Sequence, residues 1–351
     1  MRVLSPILNR VIYPVLGKAG YLRSRASTAV VTYHGVLPKD YKSPDVFLDD
    51  TLISVDGFRT QLRLLKRDYD VISPQQFRGW IDGKEPLPNR AVLLTCDDGL
   101  LNNLTVMLPI LQEEKLQCLF FVTGDVVGDE PAMLWYIELY LMVRVAPAGA
   151  AFEWHGVHVP ALQPERRRRA QWLELMHQLS RLDAEQRAEF LSDAVPRWGL
   201  DSEWKKRYIA DSSQQQRFQL LDRAQVRQLT EAGMSIGAHS LSHPVLSQQS
   251  EESARKEIVE SRRELEQVIA GEVWALAYPY GNPATVGERE LRLAQEAGYS
   301  CAFMNVPGNL NLALRFSFPR VHITAEMSSG VFEANVSGFH EALRKRLRQT
   351  Q

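Results

Sequence analysis

Two short groups of polar residues have the types and spacing of a metal-assisted hydrolytic centre. Asp97 and Asp98 are adjacent, and His239 and His243 lie four residues apart. Two imidazoles and one carboxylate make a three-ligand set that leaves coordination positions open, as in catalytic zinc sites. The other carboxylate then stays free to act as a base, because a divalent cation removes the repulsion between neighbouring carboxylates. The four residues therefore predict a metal-binding set with a base beside it.

Each of these groups follows an apolar, β-prone run of residues. Asp97 follows A-V-L-L-T-C, and His239 follows S-I-G-A. His34 follows T-A-V-V-T-Y, and Tyr280 stands three residues after V-W-A-L-A. In parallel sheets and barrels, active sites assemble at the carboxyl ends of the strands. We therefore expect four separate segments to bring their polar side chains to one rim.

The chain between these groups alternates β-prone runs with helical patterns, which predicts an α/β fold with a mostly parallel sheet or barrel. Residues from about 126 to 220 break this rhythm and show helical periodicity, which indicates a helical insertion between two βα units. The predicted organisation is an amphipathic N-terminal region over 1–27, a barrel over 28–325 interrupted by the insertion, and a basic C-terminal tail over 326–351.

The order of three motifs resembles the polysaccharide deacetylase family, the NodB-homology carbohydrate esterases. These motifs are T-C-D-D-G at 95–99, H-S-L-S-H at 239–243 and Y-P-Y-G at 278–281. The resemblance covers about residues 28–125 and 221–325. It implies a distorted (β/α) barrel with fewer than eight strands. It also implies removal of acetyl groups from N-acetylated sugars of a polysaccharide, or of its lipid-linked precursor, in exopolysaccharide biosynthesis.

The resemblance assigns a role to each matching residue. Asp97 matches the general base. Asp98, His239 and His243 match the ligands of a divalent metal, with zinc expected and cobalt or nickel as alternatives, since such ligands suit all three. The Y-P-Y-G motif places Pro279 and Tyr280 at the substrate, where the backbone N–H of Tyr280 matches a donor to the oxyanion.

Two functions of the family lack a clear residue in this sequence. Many members carry an arginine that orients the base, at the position that Ala277 occupies here; Arg320, in F-P-R-V-H, is the candidate to replace it from another strand end. The general acid that protonates the leaving amine is either His34, in the early Tyr-His segment, or His322, which follows a late strand.

Composition excludes some partners and compartments. Lys and Arg total 41 against 42 Asp and Glu, a net charge of −1, which gives no support to a nucleic-acid partner. The three cysteines are odd in number and widely spaced, so they form neither a disulfide framework nor a zinc ligand set, and a reducing compartment is expected. The interpretation is a cytoplasmic enzyme with a carbohydrate substrate.

The N-terminal region repeats apolar pairs every four residues, the pattern of an amphipathic helix. Asn9 and Arg10 interrupt the apolar run, so no signal-peptide core and no membrane span is predicted. This helix either packs on the enzyme body or lies peripherally on the inner membrane face. The basic tail residues Arg344, Lys345, Arg346 and Arg348 would assist the second arrangement.

Three hypotheses for function remain open on the sequence. The first is an N-deacetylase of a polysaccharide or its precursor. The second is the same machinery acting on an O-acetyl group or another amide. The third is a catalytically inactive member that binds glycans, which the intact set of Asp97, Asp98, His239 and His243 argues against. Within the insertion, Trp135, Tyr136 and Tyr140 have the spacing of a helix core, with a sugar-stacking wall as the alternative.

Overall fold

The computed structural model describes residues 8–18, 22, 28–43, 48–124, 132–147 and 149–349. A parallel sheet curls into a nearly closed barrel in the spatial order β12-β11-β10-β9-β6-β5-β1-β13. The eight strands are β1 (Ala29–Tyr33), β5 (Ala91–Cys96), β6 (Leu119–Val122), β9 (Ser235–Ala238), β10 (Ala275–Ala277), β11 (Cys301–Met304), β12 (Phe318–Pro319) and β13 (Val321–His322). The predicted α/β class and (β/α) barrel are confirmed, although the barrel path has eight strands rather than fewer.

Five further strands complete the set among the described residues. β4 (Asp70–Ile72) pairs in parallel with the first half of β5. The others form two small pairs, β2 (Val36–Leu37) with β3 (Ile53–Ser54), and β7 (Phe152–Trp154) with β8 (Val157–Val159).

Strand β5 shows how the sequence directs side chains into the barrel. All six of its residues are buried. Because successive side chains of a strand point to opposite faces, Ala91 and Leu93 join the inner apolar cluster while Val92 and Leu94 join the larger cluster under the surrounding helices. The inward alternation continues beyond the strand's centre, so it directs the side chain of Asp97 to the interior at the carboxyl end.

Helices surround the barrel and begin at the capping residues that the sequence provides. α2 starts after Ser54, whose side chain accepts from the backbone N–H of Gly57, and α3 starts with a capping box between Ser73 and Gln76. The helices outside the insertion are α1 (Tyr13–Lys18), α2 (Val55–Asp68), α3 (Pro74–Ile81), α4 (Leu108–Glu114), α10 (Arg223–Glu231), α11 (Glu251–Ile269), α12 (Glu288–Glu296), α13 (Ser329–Val336) and α14 (Phe339–Gln349).

The described residues between β6 and α10, 123–124, 132–147 and 149–222, form five helices and one hairpin. The helices are α5 (Trp135–Val145), α6 (Glu165–Leu179), α7 (Ala184–Arg197), α8 (Trp204–Tyr208) and α9 (Ser212–Phe218). The predicted helical character of this insertion holds apart from the antiparallel hairpin β7–β8, which turns at His155 and Gly156, both with positive φ. Its two strands are three residues each, too short for a strand pattern to stand out from the helices around them.

The N-terminal segment packs against the C-terminal helices. Residues 1–7 of the predicted amphipathic helix lie outside the described residues; a π-helical turn over Leu8–Ile12 leads into α1. Tyr13 is fully buried, and its hydroxyl is 2.6 Å from Nδ1 of His340 on α14. None of the described helices combines the length and the hydropathy that a membrane span requires.

Candidate active site

Asp97 lies at the carboxyl end of β5. An arginine from the seam, where the two ends of the barrel path meet, holds its side chain. Its two carboxylate oxygens accept from Nη1 and Nη2 of Arg320 at 2.7 and 2.6 Å, and both side chains are fully buried. Arg320 is the single residue between β12 and β13, the two ends of the barrel path. Burial alone would raise the pKa of Asp97, but the guanidinium lowers it below its usual range. Asp97 is therefore an ionised, fixed carboxylate.

The neighbouring carboxylate faces two histidines. Oδ1 of Asp98 lies 3.5 Å from Nε2 of His239 and 3.5 Å from Nε2 of His243. These separations are long for hydrogen bonds. They are close to the spacing of about 3.3 Å expected between ligand atoms that bind one zinc ion tetrahedrally at about 2.0–2.1 Å. The three ligand atoms lie within 4.8 Å of one another, so the predicted ligands form a cluster that can hold a metal ion.

The surroundings of the cluster fix its charge and the orientation of His239. Nδ1 of His239 lies 2.7 Å from the carbonyl oxygen of Ala277 and donates to it, which leaves Nε2 free to face Asp98. Burial would raise the pKa of Asp98, yet the two imidazoles hold it well below its usual range. Burial would lower the pKa of His239, but the charges of Asp97 and Asp98 raise it, whereas the pKa of His243 is lowered by burial.

Four residues of the site have left-handed backbone conformations that are uncommon outside glycine. Asp98 has a φ of 75°, Ser240 of 59°, His243 of 57° and Tyr280 of 61°. Such conformations cost about 1–3 kcal/mol each and persist only where the surroundings impose them, typically at functional sites. The strain marks the same rim that the motifs identify.

The Y-P-Y-G motif lies beside the second histidine. The ring centroid of Tyr280 is 4.9 Å from that of His243, and Pro279 is buried. Tyr136 of α5 closes this side, with its ring 5.4 Å from His243 and 6.2 Å from Tyr280. Burial and the charge of Asp98 raise the pKa of Tyr136 well above its usual value, so its hydroxyl stays protonated. Trp135 and Tyr140 are buried in the core, so of the three insertion aromatics only Tyr136 forms a wall of the site.

Both candidate general acids, His34 and His322, lie near Asp97. The ring centroids of His34 and His322 are 4.9 Å apart, because His322 on β13 pairs with Thr32 of the neighbouring β1. Burial, followed by the charge of His34, lowers the pKa of His322 to about 3. His322 is therefore neutral at neutral pH.

Three residues hold the loop that carries the histidine ligands, a role that the sequence did not predict for any of them. Trp135, Arg187 and Glu257 contact the loop between His239 and His243 from outside the barrel. Arg187 and Trp135 belong to the insertion, and only the general rarity of fully buried arginine could have drawn attention to Arg187 once its helix was placed.

The fold and the rim together define a class of protein. A (β/α) barrel carries at its strand ends a buried base, a carboxylate–histidine cluster able to hold a metal, and a histidine pair, which is the equipment of a hydrolase.

Comparison with known families agrees with this class. The family model for polysaccharide deacetylase matches residues 84–192 and 201–302, more than half of the chain. The chain therefore belongs to the polysaccharide deacetylase family of hydrolases, which act on carbohydrates, and the resemblance read from the motifs is confirmed. The match continues through most of the insertion, whereas the motif resemblance covers about residues 28–125 and 221–325 and leaves the insertion out. No curated protein sequence matches the chain.

Solved structures share the fold at low identity. The Streptococcus pyogenes deacetylase PplD, in complex with acetate, has a TM-score of 0.55 at 16% identity, over 89% of this chain and 98% of that chain. IcaB from Ammonifex degensii has a TM-score of 0.55 at 18% identity, over 89% and 97%. A de-N-acetylase from Aggregatibacter actinomycetemcomitans has a TM-score of 0.53 at 15% identity, over 87% and 98%.

Proposed function

We propose that this protein is a metal-dependent N-deacetylase of a polysaccharide or of its lipid-linked precursor. The observation that carries the proposal is the buried bidentate pair of Asp97 and Arg320 directly beside the cluster of Asp98, His239 and His243. An ionised base next to a three-ligand set is the arrangement that hydrolysis of an unreactive amide requires.

Each residue has a defined task in the reaction. Asp98, His239 and His243 would hold the metal, which when bound polarises the acetyl carbonyl and lowers the pKa of water. Asp97 accepts a proton from the attacking water, and Arg320 keeps its carboxylate charged and correctly turned. The backbone N–H of Tyr280 donates to the oxyanion that develops on the acetyl group.

His34 is the proposed general acid. The departing amine must take up a proton, and the histidine pair lies beside Asp97, where the base and the acid can serve the same acetyl group. With a pKa of about 3, His322 is a neutral imidazole at neutral pH and lacks the imidazolium proton that a general acid donates. We assign His322 to orienting and shielding His34.

Removal of an N-acetyl group is favoured over removal of an O-acetyl group by this proton donor. An amine is a much poorer leaving group than an alcohol, so a positioned acid matters most for an amide. One fold neighbour, the Aggregatibacter actinomycetemcomitans protein, is a de-N-acetylase, which supports the same choice.

The experiment is a substrate comparison with metal control. Purified enzyme is chelated, supplied again with Zn²⁺, Co²⁺ or Ni²⁺, and assayed on an N-acetylglucosamine oligomer and on an O-acetylated sugar, with released acetate measured. We expect activity to disappear on chelation, to return with zinc, and to favour the N-acetyl substrate. Activity that is indifferent both to the chelator and to Asp98→Ala would exclude the metal mechanism, and a preference for the ester would make the protein an O-acetyl esterase.

We further propose that the enzyme is cytoplasmic and works at the inner membrane face. Val11 and Val15 are 56% and 59% exposed on the N-terminal segment, with the exposed Arg10 beside them and the exposed Lys345 on the adjoining α14. An apolar ridge next to basic residues fits an anionic lipid surface. Sedimentation with phosphatidylglycerol vesicles should depend on both Val11 and Val15, and a double change to Asp that leaves sedimentation intact would contradict the proposal.

A further inference from the structure

The loop that carries the two histidine ligands has a backbone conformation that its own hydrogen bonds do not suffice to hold. Between the end of β9 and the proline after His243, Ser240 and His243 both adopt left-handed conformations. Local hydrogen bonding is limited to the backbone N–H of His243, which donates to Oγ of Ser240 at 3.1 Å. The end of β6 adds one backbone bond, from the N–H of Gly124 to the carbonyl oxygen of Ser240 at 2.9 Å. Beyond Ser240, side chains from other elements hold His243 at the position where its Nε2 faces Asp98.

One support is a buried carboxylate on α11. Glu257 is 4% exposed and accepts from the backbone N–H groups of Leu241 and Ser242 at 2.9 and 2.8 Å. The hydroxyl of Ser242 donates to the same carboxylate. Removing a carboxylate from water is costly, and a positive charge nearby offsets part of that cost.

The positive charge comes from the insertion. Arg187 of α7 is 2% exposed, and its Nη2 donates to Oγ of Ser242 at 2.7 Å while its Nη1 donates to the carbonyl of Leu182 at 2.6 Å. Ser242 thus joins Arg187 and Glu257 through one hydroxyl. The guanidinium also stacks at 5.2 Å over the ring of Trp135.

Trp135 of α5 makes the second contact of the insertion with this loop. Its indole Nε1–H donates to the carbonyl oxygen of His243 at 3.0 Å, and its side chain is buried. This bond acts on the peptide of the ligand residue itself. Two insertion helices, α7 and α5, therefore donate hydrogen bonds to the loop at Ser242 and at His243.

We propose that Trp135 and Arg187 are positioning residues of the metal centre, so that the insertion is part of the catalytic machinery and sets the metal affinity. This inference rests on the metal-dependent function proposed above. Outer-shell partners that fix a ligand usually change metal affinity by about 10–100-fold when they are removed, because the ligand must then be ordered on binding.

The test is the affinity for Zn²⁺, measured by competition with a chromogenic chelator on the full chain. Trp135→Phe removes the donor to His243 and keeps an aromatic ring, and Ser242→Ala removes the hydroxyl between Arg187 and Glu257. We expect each change to weaken zinc binding by about 10–100-fold, with the thermal midpoint of the metal-free protein lowered no more than in the control.

The matched control is Trp154→Phe. Trp154 is also in the insertion and buried, and its Nε1–H donates at 3.0 Å to Asp193, away from the ligand loop. This change removes the same kind of bond from the same part of the chain, so zinc affinity should stay at the wild-type value.

The outcomes separate the two proposals. If the wild type binds none of Zn²⁺, Co²⁺ and Ni²⁺, the proposed function fails and the inference fails with it. If the wild type binds zinc and Trp135→Phe and Ser242→Ala bind it equally well, or if Trp154→Phe weakens binding as much as they do, the inference is overturned while the proposed function stands. Arg187→Lys, which keeps the charge near Glu257, should bind zinc more tightly than Arg187→Met.

Discussion

The pair of Asp97 and Arg320 combines two opposed effects in one buried contact. Taking both charges out of water is unfavourable, and only a bidentate geometry with supporting contacts offsets it. Arg320 has the bidentate geometry, and it has supporting contacts as well. Its guanidinium lies 5.5 Å from the ring centroid of Phe121 and 5.9 Å from that of Phe303 inside the barrel. The pair is therefore rigid, which is the property a catalytic base needs.

Removing Arg320 should damage turnover more than substrate binding. We expect Arg320→Met to lower kcat by about 10²-fold, the loss typical of a misplaced catalytic group, with KM nearly unchanged. Because the burial of Asp97 is then opposed only by the charges of His239 and His34, its pKa rises, and the acid limb of the kcat profile should move to higher pH. Steady-state kinetics against pH measures both effects.

Two further variants test whether the loss of kcat comes from the contact between Arg320 and Asp97. Arg320→Lys keeps one charge and loses the bidentate contact, so its kcat should fall between the wild type and Arg320→Met. Arg315→Met alters an exposed arginine a few residues earlier and should leave kcat unchanged. A normal kcat in Arg320→Met would show that Asp97 needs no orienting partner.

The two histidines beside Asp97 should separate by function. His34→Gln is expected to lower kcat by about 10²-fold or more, as for a lost general acid. His322→Gln should cost less than 10-fold, because a histidine with a pKa of about 3 gives up no proton at neutral pH. The same kinetic assay decides between them: equal losses would assign a proton-transfer role to His322 as well, and no loss in either variant would remove both from the mechanism.

At the residue scale, the sequence was sufficient wherever a motif ended a strand. It placed Asp97, Asp98, His239 and His243 on one rim because parallel strands share a carboxyl edge. The structure clusters Asp98 with both histidines and places Asp97 close enough to His239 for their charges to interact. It could not choose between His34 and His322, since the choice depends on burial and on their mutual contact. Tyr136 faces the site only because of how α5 is rotated, which helical spacing alone does not reveal.

At the scale of elements, helix α13 and the N-terminal segment approach each other unusually closely. A side-chain carbon on Gly330 would lie 2.7 Å from the backbone nitrogen of Pro14 and 2.9 Å from the carbonyl carbon of Tyr13. Backbone atoms cannot move aside as a side chain would. Only glycine lets these two elements pack at this distance.

Gly330→Leu should therefore detach the N-terminal segment from α13 while the barrel stays folded. We expect faster proteolytic cleavage near Tyr13 and a lower thermal midpoint, with the metal affinity preserved because the site lies on other elements. Limited proteolysis followed by mass spectrometry locates the cut. Ser329→Leu, at the exposed neighbouring position, is the control and should match the wild type; unchanged protection of Tyr13 in Gly330→Leu would refute this packing.

The sequence predicted the long elements better than the shortest ones. The β-prone run A-V-L-L-T-C forms β5 as expected. Strands β12 and β13 have two residues each, which is too few for a periodic pattern, so the sequence indicated a strand end at F-P-R-V-H without giving its bounds. The two strands pair in parallel with β11 and β1. β4 was missed for a related reason, since its three residues D-V-I lack a buried run.

At the scale of the whole molecule, the metal ligands join segments that are far apart in the chain. Asp98 follows β5, and His239 and His243 follow β9, with the insertion between them. A metal bound to all three is a cross-link that only the folded state can form. Binding energy of this kind adds directly to the stability of the fold.

Zinc should therefore raise the thermal midpoint of the intact chain. At a free concentration of 100 times Kd the added stability is about 2.7 kcal/mol, which corresponds to a shift of about 4 °C for a chain of 351 residues. Differential scanning fluorimetry with and without zinc measures the shift. Asp98→Asn should abolish it, and a shift that survives this change would place the ion elsewhere.

The left-handed residues of the rim have a consequence for how this enzyme would respond to selection. Replacing such a residue by glycine or asparagine relieves backbone strain. Laboratory evolution for heat tolerance alone should thus accumulate these residues at Asp98, Ser240, His243 and Tyr280, and each gain would remove a ligand, its support or a wall of the site. Heat-tolerant variants that keep their activity must acquire their substitutions elsewhere. The strained residues of the rim therefore limit the thermal stability that an active enzyme can reach.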